Sequence, residues 1–134
     1  MARLMRLRGL RRGSSLVESA LVLPLLTVLV FAGFEFGTIL HLRQSMLHAA
    51  RESARVLAIQ GGTMTEAEAV AWDLLPNNDL PYEVELTRPA VDSEDRTVTA
   101  TISLPVGDGS VGVATSAMFS ATTLRVSVSM RSEQ

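Results

Sequence analysis

The residues of this chain that are best placed to do chemistry lie near its N-terminus. Gly13 is followed by a short polar stretch, and Glu18 stands at the start of an apolar run whose next sixteen residues, 19–34, carry no charge. Placing an unpaired carboxylate in hydrocarbon is costly in free energy. A membrane anchor has no structural need for such a group, and an ordinary signal peptide should not contain one. The position of Glu18 therefore indicates a specific role.

Catalytic or metal-binding chemistry has little support elsewhere in the sequence. His41 and His48 are seven residues apart, without the spacing or the third ligand of a zinc site. Ser14 and Ser15 have no matching His and Asp, and no phosphate-binding glycine loop is present. Three acidic groups fall in a helix start, a strand and a loop, where solvated acids explain them: Glu66/Glu68, Glu83/Glu85 and Asp92/Glu94/Asp95. The sequence predicts no enzyme, no cofactor and no metal.

Charge is divided unevenly along the chain. All twelve basic residues are arginines, and five of them precede Gly13, where there is no acid. The net charge of −2 therefore separates into +5 before Gly13 and −7 after it, from seven arginines and fourteen acids. A positive head before an apolar run predicts that the head stays cytoplasmic and the remainder is exported. Nucleic-acid binding by the head is a competing interpretation, but membrane topology accounts more simply for the adjacent apolar run.

The absence of cysteine excludes disulfides and thiolate chemistry, so an exported domain must be held together by packing alone.

A helical pattern extends from Leu16 to about Ile59. Its first part, residues 16–40, spans roughly 37 Å at 1.5 Å per residue, enough to cross a hydrocarbon core of about 30 Å. Pro24 predicts a kink or local loosening. After Leu40 the pattern becomes amphipathic, with an apolar face opposite a polar face formed by Arg43, Gln44, His48, Arg51, Glu52 and Arg55.

The rest of the chain predicts a short helix and a small antiparallel sheet. The pair Gly61-Gly62 is expected to end the long helix, and Thr63 or Thr65 can cap a helix over residues 66–75. Apolar residues alternate over 82–88, 97–104 and 123–130, as expected for strands. A polar hairpin loop is expected between residues 88 and 96, and residues 105–122 support no assignment. The predicted fold is α+β, with a long N-terminal transmembrane helix continuing into a small exported domain.

The sequence resembles a known family over residues 13–56. The stretch from Gly13 to Glu18 is similar to the processing site of type IV pilin-like proteins. Together with two later motifs it resembles the TadE-like family, the pseudopilins or minor pilins of tight-adherence (Flp) pilus systems; the motifs are Phe34-Glu35-Phe36-Gly37 and Ala49-Ala50-Arg51-Glu52-Ser53-Ala54-Arg55. The resemblance is weaker over the strands at 97–104 and 123–130. Ser19 departs from the Phe or Tyr often found there, and Ser53 departs from the usual Gly.

This resemblance implies that a prepilin peptidase cleaves after Gly13, making Ser14 the new N-terminus and Glu18 the fifth residue. Glycine has no side chain and high backbone freedom, which suits a narrow active site. Glu18 would then pair with the Ser14 ammonium of a neighbouring subunit and set the register of an apolar bundle.

Further subunit contacts are implied with less support. Glu35 is expected either at the outer membrane interface or against a sister subunit. Arg51, Glu52 and Arg55 are expected on a solvated helix face, or packed against the sheet or a partner pseudopilin.

The resemblance also implies an organisation and a set of partners. The segments would be a basic cytoplasmic leader (1–13), a transmembrane helix (14–40), its amphipathic continuation (41–60) and a periplasmic or extracellular α+β domain (61–134). The protein would lie in the bacterial inner membrane with its N-terminus in the cytoplasm, or be associated with the pilus. Its partners would be the prepilin peptidase, the major pilin, a companion minor pseudopilin, the inner-membrane assembly platform and the lipid bilayer, with no nucleic acid. Its contribution would be to pilus assembly, adhesion and surface colonisation.

The main alternative is an unprocessed single-pass anchor that displays a small interaction domain. Glu18 is six residues past Arg12, about 9 Å along a straight helix, and at that depth it can stay hydrated. A cleaved secretory signal has less support, because no small-x-small exit site ends a short apolar core. The pair Arg11-Arg12 likewise lacks the rest of a twin-arginine export pattern.

Overall fold

The computed structural model describes residues 8–89, 96–106 and 122–132, with side chains from Ser15 onward. Its elements are α1 (Arg8–Ala58), α2 (Met64–Leu74), β1 (Glu83–Thr87), β2 (Thr97–Pro105) and β3 (Thr123–Arg131). The predicted α+β fold, a long N-terminal helix followed by a short helix and a small antiparallel sheet, is confirmed. The start of the predicted leader, most of the hairpin loop predicted after Arg88, and residues 107–121 lie outside the described residues.

Helix α1 begins eight residues before the predicted start at Leu16 and includes Pro24. The head before Gly13 is rich in arginine and leucine, which favour helix. A single glycine costs only about 1 kcal/mol relative to alanine, which is too little to end the helix there. The predicted end is confirmed: α1 stops at Ala58, and Gly61 follows with a φ of +87°.

The chain divides into two compact units, Met1–Phe36 and Gly37–Gln134. In the first unit, the described side chains belong to α1, and its large apolar residues are exposed, including Leu21 at 73% and Phe34 at 72%. The second unit contains the remainder of α1, together with α2, the sheet and the apolar core.

Within the second unit, α1 buries a face made largely of small residues. The buried positions are Leu42, Met46, Ala49, Ala50, Ser53, Ala54, Leu57 and Ala58. This confirms the predicted amphipathic pattern and places Ser53 and Ala54 on the buried face. The Ser53 hydroxyl donates to the carbonyl of Ala50 at 3.1 Å, so this buried polar group is satisfied by its own helix.

The sheet has the order β1-β2-β3, and both pairs of strands are antiparallel. Ala100 on β2 lies opposite Leu86 on one side and Val128 on the other, and this row faces the core. The opposite face is polar. Its hydroxyl groups pair across the strands, with oxygen–oxygen distances of 3.1 Å for Thr99 with Ser129 and for Thr101 with Ser127. Period-two alternation therefore separates the two faces, as the sequence predicted.

Helix α2 starts with a capping box. The backbone N–H of Glu66 donates to the Thr63 hydroxyl, and the N–H of Thr63 donates to the Glu66 carboxylate, each at 3.2 Å. Thr63, rather than Thr65, is therefore the cap. On its inner side, α2 buries Ala67 and Ala71.

An aromatic pair packs on the core beside α2. Trp72 and Tyr82 pack edge to face, with ring centroids 6.5 Å apart and an interplanar angle of 76°. The Tyr82 hydroxyl donates to the carbonyl of Pro76 at 2.9 Å. Burial raises the pKa of Tyr82, because the charged phenolate is poorly solvated there.

The end of α1 is hydrogen-bonded to a side chain from the segment that follows β1. Arg88 donates from Nη2 to the carbonyl of Leu57 at 2.9 Å and to the carbonyl of Gly62 at 2.6 Å. A cation at a helix C-terminus satisfies the last carbonyls and opposes the negative end of the helix dipole. The Arg88 Nε is buried and has no hydrogen-bond partner among the described residues.

Candidate functional site

The predicted cleavage position lies within the backbone of α1. Gly13 and Ser14 both have helical backbone, with five helical residues before them. Cleavage of this bond in a narrow active site therefore requires the helix to open locally. Glycine lowers the cost of that opening, because it is among the poorest helix formers after proline.

Glu18 lies one and a half turns further along the helix, about 7.5 Å from Gly13. Its side chain is exposed, and its carboxylate makes no hydrogen bond or ion pair to any described residue. Nearby hydroxyls differ in this respect. Ser19 donates to the carbonyl of Ser15 at 2.9 Å, and Thr27 donates to that of Leu23 at 2.8 Å. Glu18 is thus a polar group of this stretch without a partner among the described residues.

The helix around Glu18 has the length and composition of a membrane span. Among the described residues, one helical stretch, Ser15–Ala58, passes this test, with a window of mean hydropathy 2.2 of which no part is buried. Glu18 and Glu35 are seventeen residues apart, or roughly 25 Å, which is less than a hydrocarbon core of about 30 Å. An untilted membrane-spanning helix therefore cannot keep both carboxylates outside the hydrocarbon core of the bilayer. Glu35 is partly buried by the protein.

The remaining predicted residues lie in the other compact unit, on the polar face of α1. Arg51 is exposed, and Arg55 Nε bonds Glu52 Oε2 at 2.9 Å. Glu52 and Arg55, three residues apart, therefore pair on the surface of the helix. Arg51 and Arg55 are exposed and Glu52 is partly buried, so all three lie outside the buried set of α1.

Two structurally important residues were not predicted from the sequence. Arg88 is separated from Leu57 and Gly62 by 31 and 26 residues, and no local pattern connects them. Ser53 is polar, but it lies at a position where the helical period points inward, and that period could have revealed its burial. The described residues contain no group of three or more metal-ligating side chains.

Residues 13–55 match the family model described as TadE-like protein. No match was found among curated proteins or among solved structures. The matched segment includes every predicted site residue and ends before α2 and the sheet.

This likeness indicates a protein associated with a tight-adherence pilus, and the apolar helix near the N-terminus fits a single-pass membrane protein of such a system. The TadE-like resemblance predicted from the sequence is therefore confirmed over residues 13–55.

Proposed function

We propose that this protein is a minor pilin or pseudopilin of a tight-adherence pilus, processed by a prepilin peptidase after Gly13. One observation supports this above the others. The Glu18 carboxylate has no partner in the described chain, lies five residues after Gly13, and sits on a helix whose apolar surface is exposed. Such a helix needs a lipid or protein environment, and such a carboxylate needs a cation within it.

Cleavage would supply that cation. Removing residues 1–13 takes away five arginines and frees the α-amine of Ser14. Because Glu18 and Ser14 are four residues apart, they lie on one side of the helix. The Glu18 carboxylate of one subunit can therefore meet the ammonium of the next by a small axial shift, and the pair would set the register between subunits.

The same proposal assigns a topology and partners. The basic head would stay in the cytoplasm, and the unit Gly37–Gln134 would face the periplasm or the cell exterior. The peptidase, the major pilin, a companion minor pseudopilin and the inner-membrane platform would contact the N-terminal helix. Glu35, Arg51, Glu52 and Arg55 would contribute further subunit contacts, and the assembled pilus would serve adhesion and surface colonisation.

The direct test is the N-terminus of the protein purified from its native cells, read by Edman sequencing or intact mass. A start at Ser14 supports processing. A start at Met1 or Ala2 supports the unprocessed anchor, and a start beyond residue 30 supports secretion after signal cleavage. Either of these last two results contradicts the proposal.

The part played by helix opening can be tested separately with Gly13→Ala. Alanine stabilises helix by about 1 kcal/mol over glycine, which predicts roughly fivefold slower cleavage from the opening step alone. Gly9→Ala, in the same helix but four residues upstream, is the matched control and should be cleaved at nearly the normal rate. Equal rates for both variants and the unaltered protein would contradict this account of the site.

The register role is tested with Glu18→Gln, which keeps the size of the side chain and removes its charge. Membrane insertion should be unchanged, while pilus assembly falls. Glu18→Asp keeps the charge on a shorter side chain and should retain part of the assembly. Normal pili from Glu18→Gln would refute the role.

A further inference from the structure

The described part of α1 begins inside the arginine-rich head rather than after it. The backbone is helical from Arg8 through Gly13 and continues without a break into the apolar run. The sequence predicted a helix start at Leu16, so this continuity is a finding of the structure. The arginines nearest the apolar run therefore occupy fixed positions along one helix.

Three arginines share one face of this helical segment. Arg8, Arg11 and Arg12 follow the intervals of three and four that place residues on the same side of a helix. We call this set the arginine face. Arg3 and Arg6 precede it in the sequence, and no acid occurs before Glu18. The segment before Gly13 therefore carries a concentrated positive charge.

The arginine face also has a definite height relative to the candidate membrane span. If the hydrocarbon core begins at Leu16, Arg12 lies about 6 Å outside it along the helix and Arg8 about 12 Å. The headgroups form a layer of about 5–8 Å on each side of that core. The arginine face therefore starts in the headgroup layer and ends within one screening length, about 10 Å, of it.

The first compact unit contains few acids that could neutralise this charge. Its first acid is Glu18, six residues past Arg12, roughly 9 Å further along the helix and toward the hydrocarbon. The other acid of the unit is Glu35, a further seventeen residues along the chain. Anions that match the arginine face are therefore expected from outside this unit.

We propose that the arginine face binds the headgroups of anionic phospholipids. Lipid phosphates carry negative charge at the height where these arginines lie, and a guanidinium matches the geometry of phosphate oxygens. Basic residues directly beside a membrane span favour anionic lipid by about fivefold for each arginine near the surface. Because the helix enters the bilayer at this point, the occupant is a lipid surface rather than a free phosphate.

A nucleic acid fits the arginine face less well. Arg12 lies at the height of the headgroups, so a duplex would have to enter that layer to reach it. The duplex would then meet lipid phosphates, whose charge has the same sign as its own. The arginine face also extends for only about 6 Å along the helix, from Arg8 to Arg12.

The lipid contact has a consequence for the proposed processing. Cleavage after Gly13 removes all five arginines of the head in one step. Contact with anionic headgroups would therefore end when the new N-terminus forms. The binding itself belongs to the uncleaved chain, and it does not depend on whether cleavage takes place.

The test uses the full-length chain in nanodiscs of phosphatidylcholine. Because the chain has no cysteine, Ser15→Cys gives a single site for a fluorophore beside the arginine face. An acceptor-labelled lipid, either phosphatidylglycerol or phosphatidylcholine, is added at the same small mole fraction, and energy transfer measures its local enrichment. Phosphatidylglycerol should be enriched at least about fivefold over phosphatidylcholine, the preference expected from one arginine. The enrichment should fall as salt is raised.

Replacing the arginines isolates the contribution of their charge. Glutamine at positions 8, 11 and 12 should abolish the enrichment, because it removes the charge while keeping a similar helix propensity. Lysine at the same positions keeps the charge and should retain most of the enrichment. The matched control replaces three exposed arginines of the second compact unit with glutamine and should behave like the unaltered chain; they are Arg51, Arg55 and Arg125.

Several results would overturn the proposal. They are equal energy transfer to the two lipids in the unaltered chain, enrichment that survives the glutamine variant, and an equal loss in the control. Displacement of phosphatidylglycerol by glycerol phosphate or by a DNA duplex, at constant ionic strength, would instead assign the arginine face to a free phosphate or a nucleic acid. Circular dichroism verifies that each variant stays helical, so a loss of enrichment is not a loss of structure. The N-terminal residue found in native cells has no bearing on these outcomes, which separates this test from that of the proposed function.

Discussion

Arg88 offers the sharpest test of how the second compact unit is held together. Its guanidinium joins the segment after β1 to the carbonyl of Leu57 in the last turn of α1 and to that of Gly62 just beyond the helix. Replacing it with methionine keeps much of the side-chain volume and removes both hydrogen bonds. The end of α1 then loses its only described side-chain donor to these carbonyls.

The size of the effect follows from two opposed terms. A hydrogen bond from a charged donor contributes about 1.5–3 kcal/mol, so losing two costs about 3–6 kcal/mol. Methionine also removes the buried Arg88 Nε, which has no partner among the described residues and whose burial costs about 1–3 kcal/mol. Taken at the middle of each range, the net expectation is that Arg88→Met lowers the free energy of unfolding by about 2–3 kcal/mol.

The assay is urea unfolding of the full-length protein in detergent micelles, followed by tryptophan fluorescence. The chain has one tryptophan, Trp72, which packs against the core and so reports on this unit. Arg55→Met is the control, because its exposed ion pair is worth no more than about 0.5 kcal/mol. Arg88→Lys keeps the charge but not the fork of donors and should fall between the two. An Arg88→Met protein within about 0.5 kcal/mol of the unaltered chain would refute this account of the helix end.

Three further predictions concern the same unit. Gly62→Ala should destabilise it by more than about 3 kcal/mol, because the added Cβ overlaps the backbone carbonyl oxygen of Val56. Gly61→Ala should cost only about 1–2 kcal/mol, since the site is open and the penalty comes from its positive φ. Ser53→Leu should cost about 3 kcal/mol by overpacking a fully buried position, whereas Ser53→Ala should be nearly neutral. Tyr82→Phe should lower the free energy of unfolding by about 1 kcal/mol at pH 7, because its hydrogen bond is lost. Above pH 10, the free energy of unfolding of this variant should fall less steeply with pH than that of the unaltered chain.

The sign of the last prediction follows from the raised pKa of Tyr82. The phenol is protonated in both states below about pH 10, its ordinary value, so its contribution to stability is complete there. As pH rises through the higher folded-state pKa, the unfolded chain releases its proton first and stability falls. The chain has neither lysine nor cysteine and only one tyrosine, so this loss of stability at high pH is assigned to Tyr82. If the free energy of unfolding falls equally steeply above pH 10 for Tyr82→Phe and for the unaltered chain, this argument is contradicted. The glycine argument is contradicted if Gly61→Ala loses more stability than Gly62→Ala.

Much of the fold could be predicted because its signals are local. The alternation of apolar residues predicts all three strands to within about one residue of their observed ends. The spacing of Thr63 and Glu66 marks a capping box in the sequence itself. The predicted start of α1 at Leu16 is eight residues too late. Helix propensity over the arginine- and leucine-rich head outweighed the single glycine at Gly13.

The candidate site divides in the same way. Gly13, Ser14 and Glu18 could be recognised from spacing, because their arrangement is encoded in consecutive residues. Whether the bond after Gly13 is cleaved depends on an enzyme, and the proposed partner of Glu18 would be another chain, so both stay predictions. The bond from Arg88 to Gly62 was missed for a different reason, since only tertiary packing brings the two together.

The order of the strands has a consequence for how the protein reaches its folded state. Among the described residues, each strand pairs with the next one along the chain, both pairs are antiparallel, and no crossover connects them. Mainly local pairing lowers the contact order and favours fast folding. A chain exported as the proposed topology requires would emerge unfolded with α1 first, and β1, β2 and β3 could then add in turn. With no cysteine to oxidise, folding on the far side of the membrane would require no disulfide catalyst and would depend only on the arrival of the next strand.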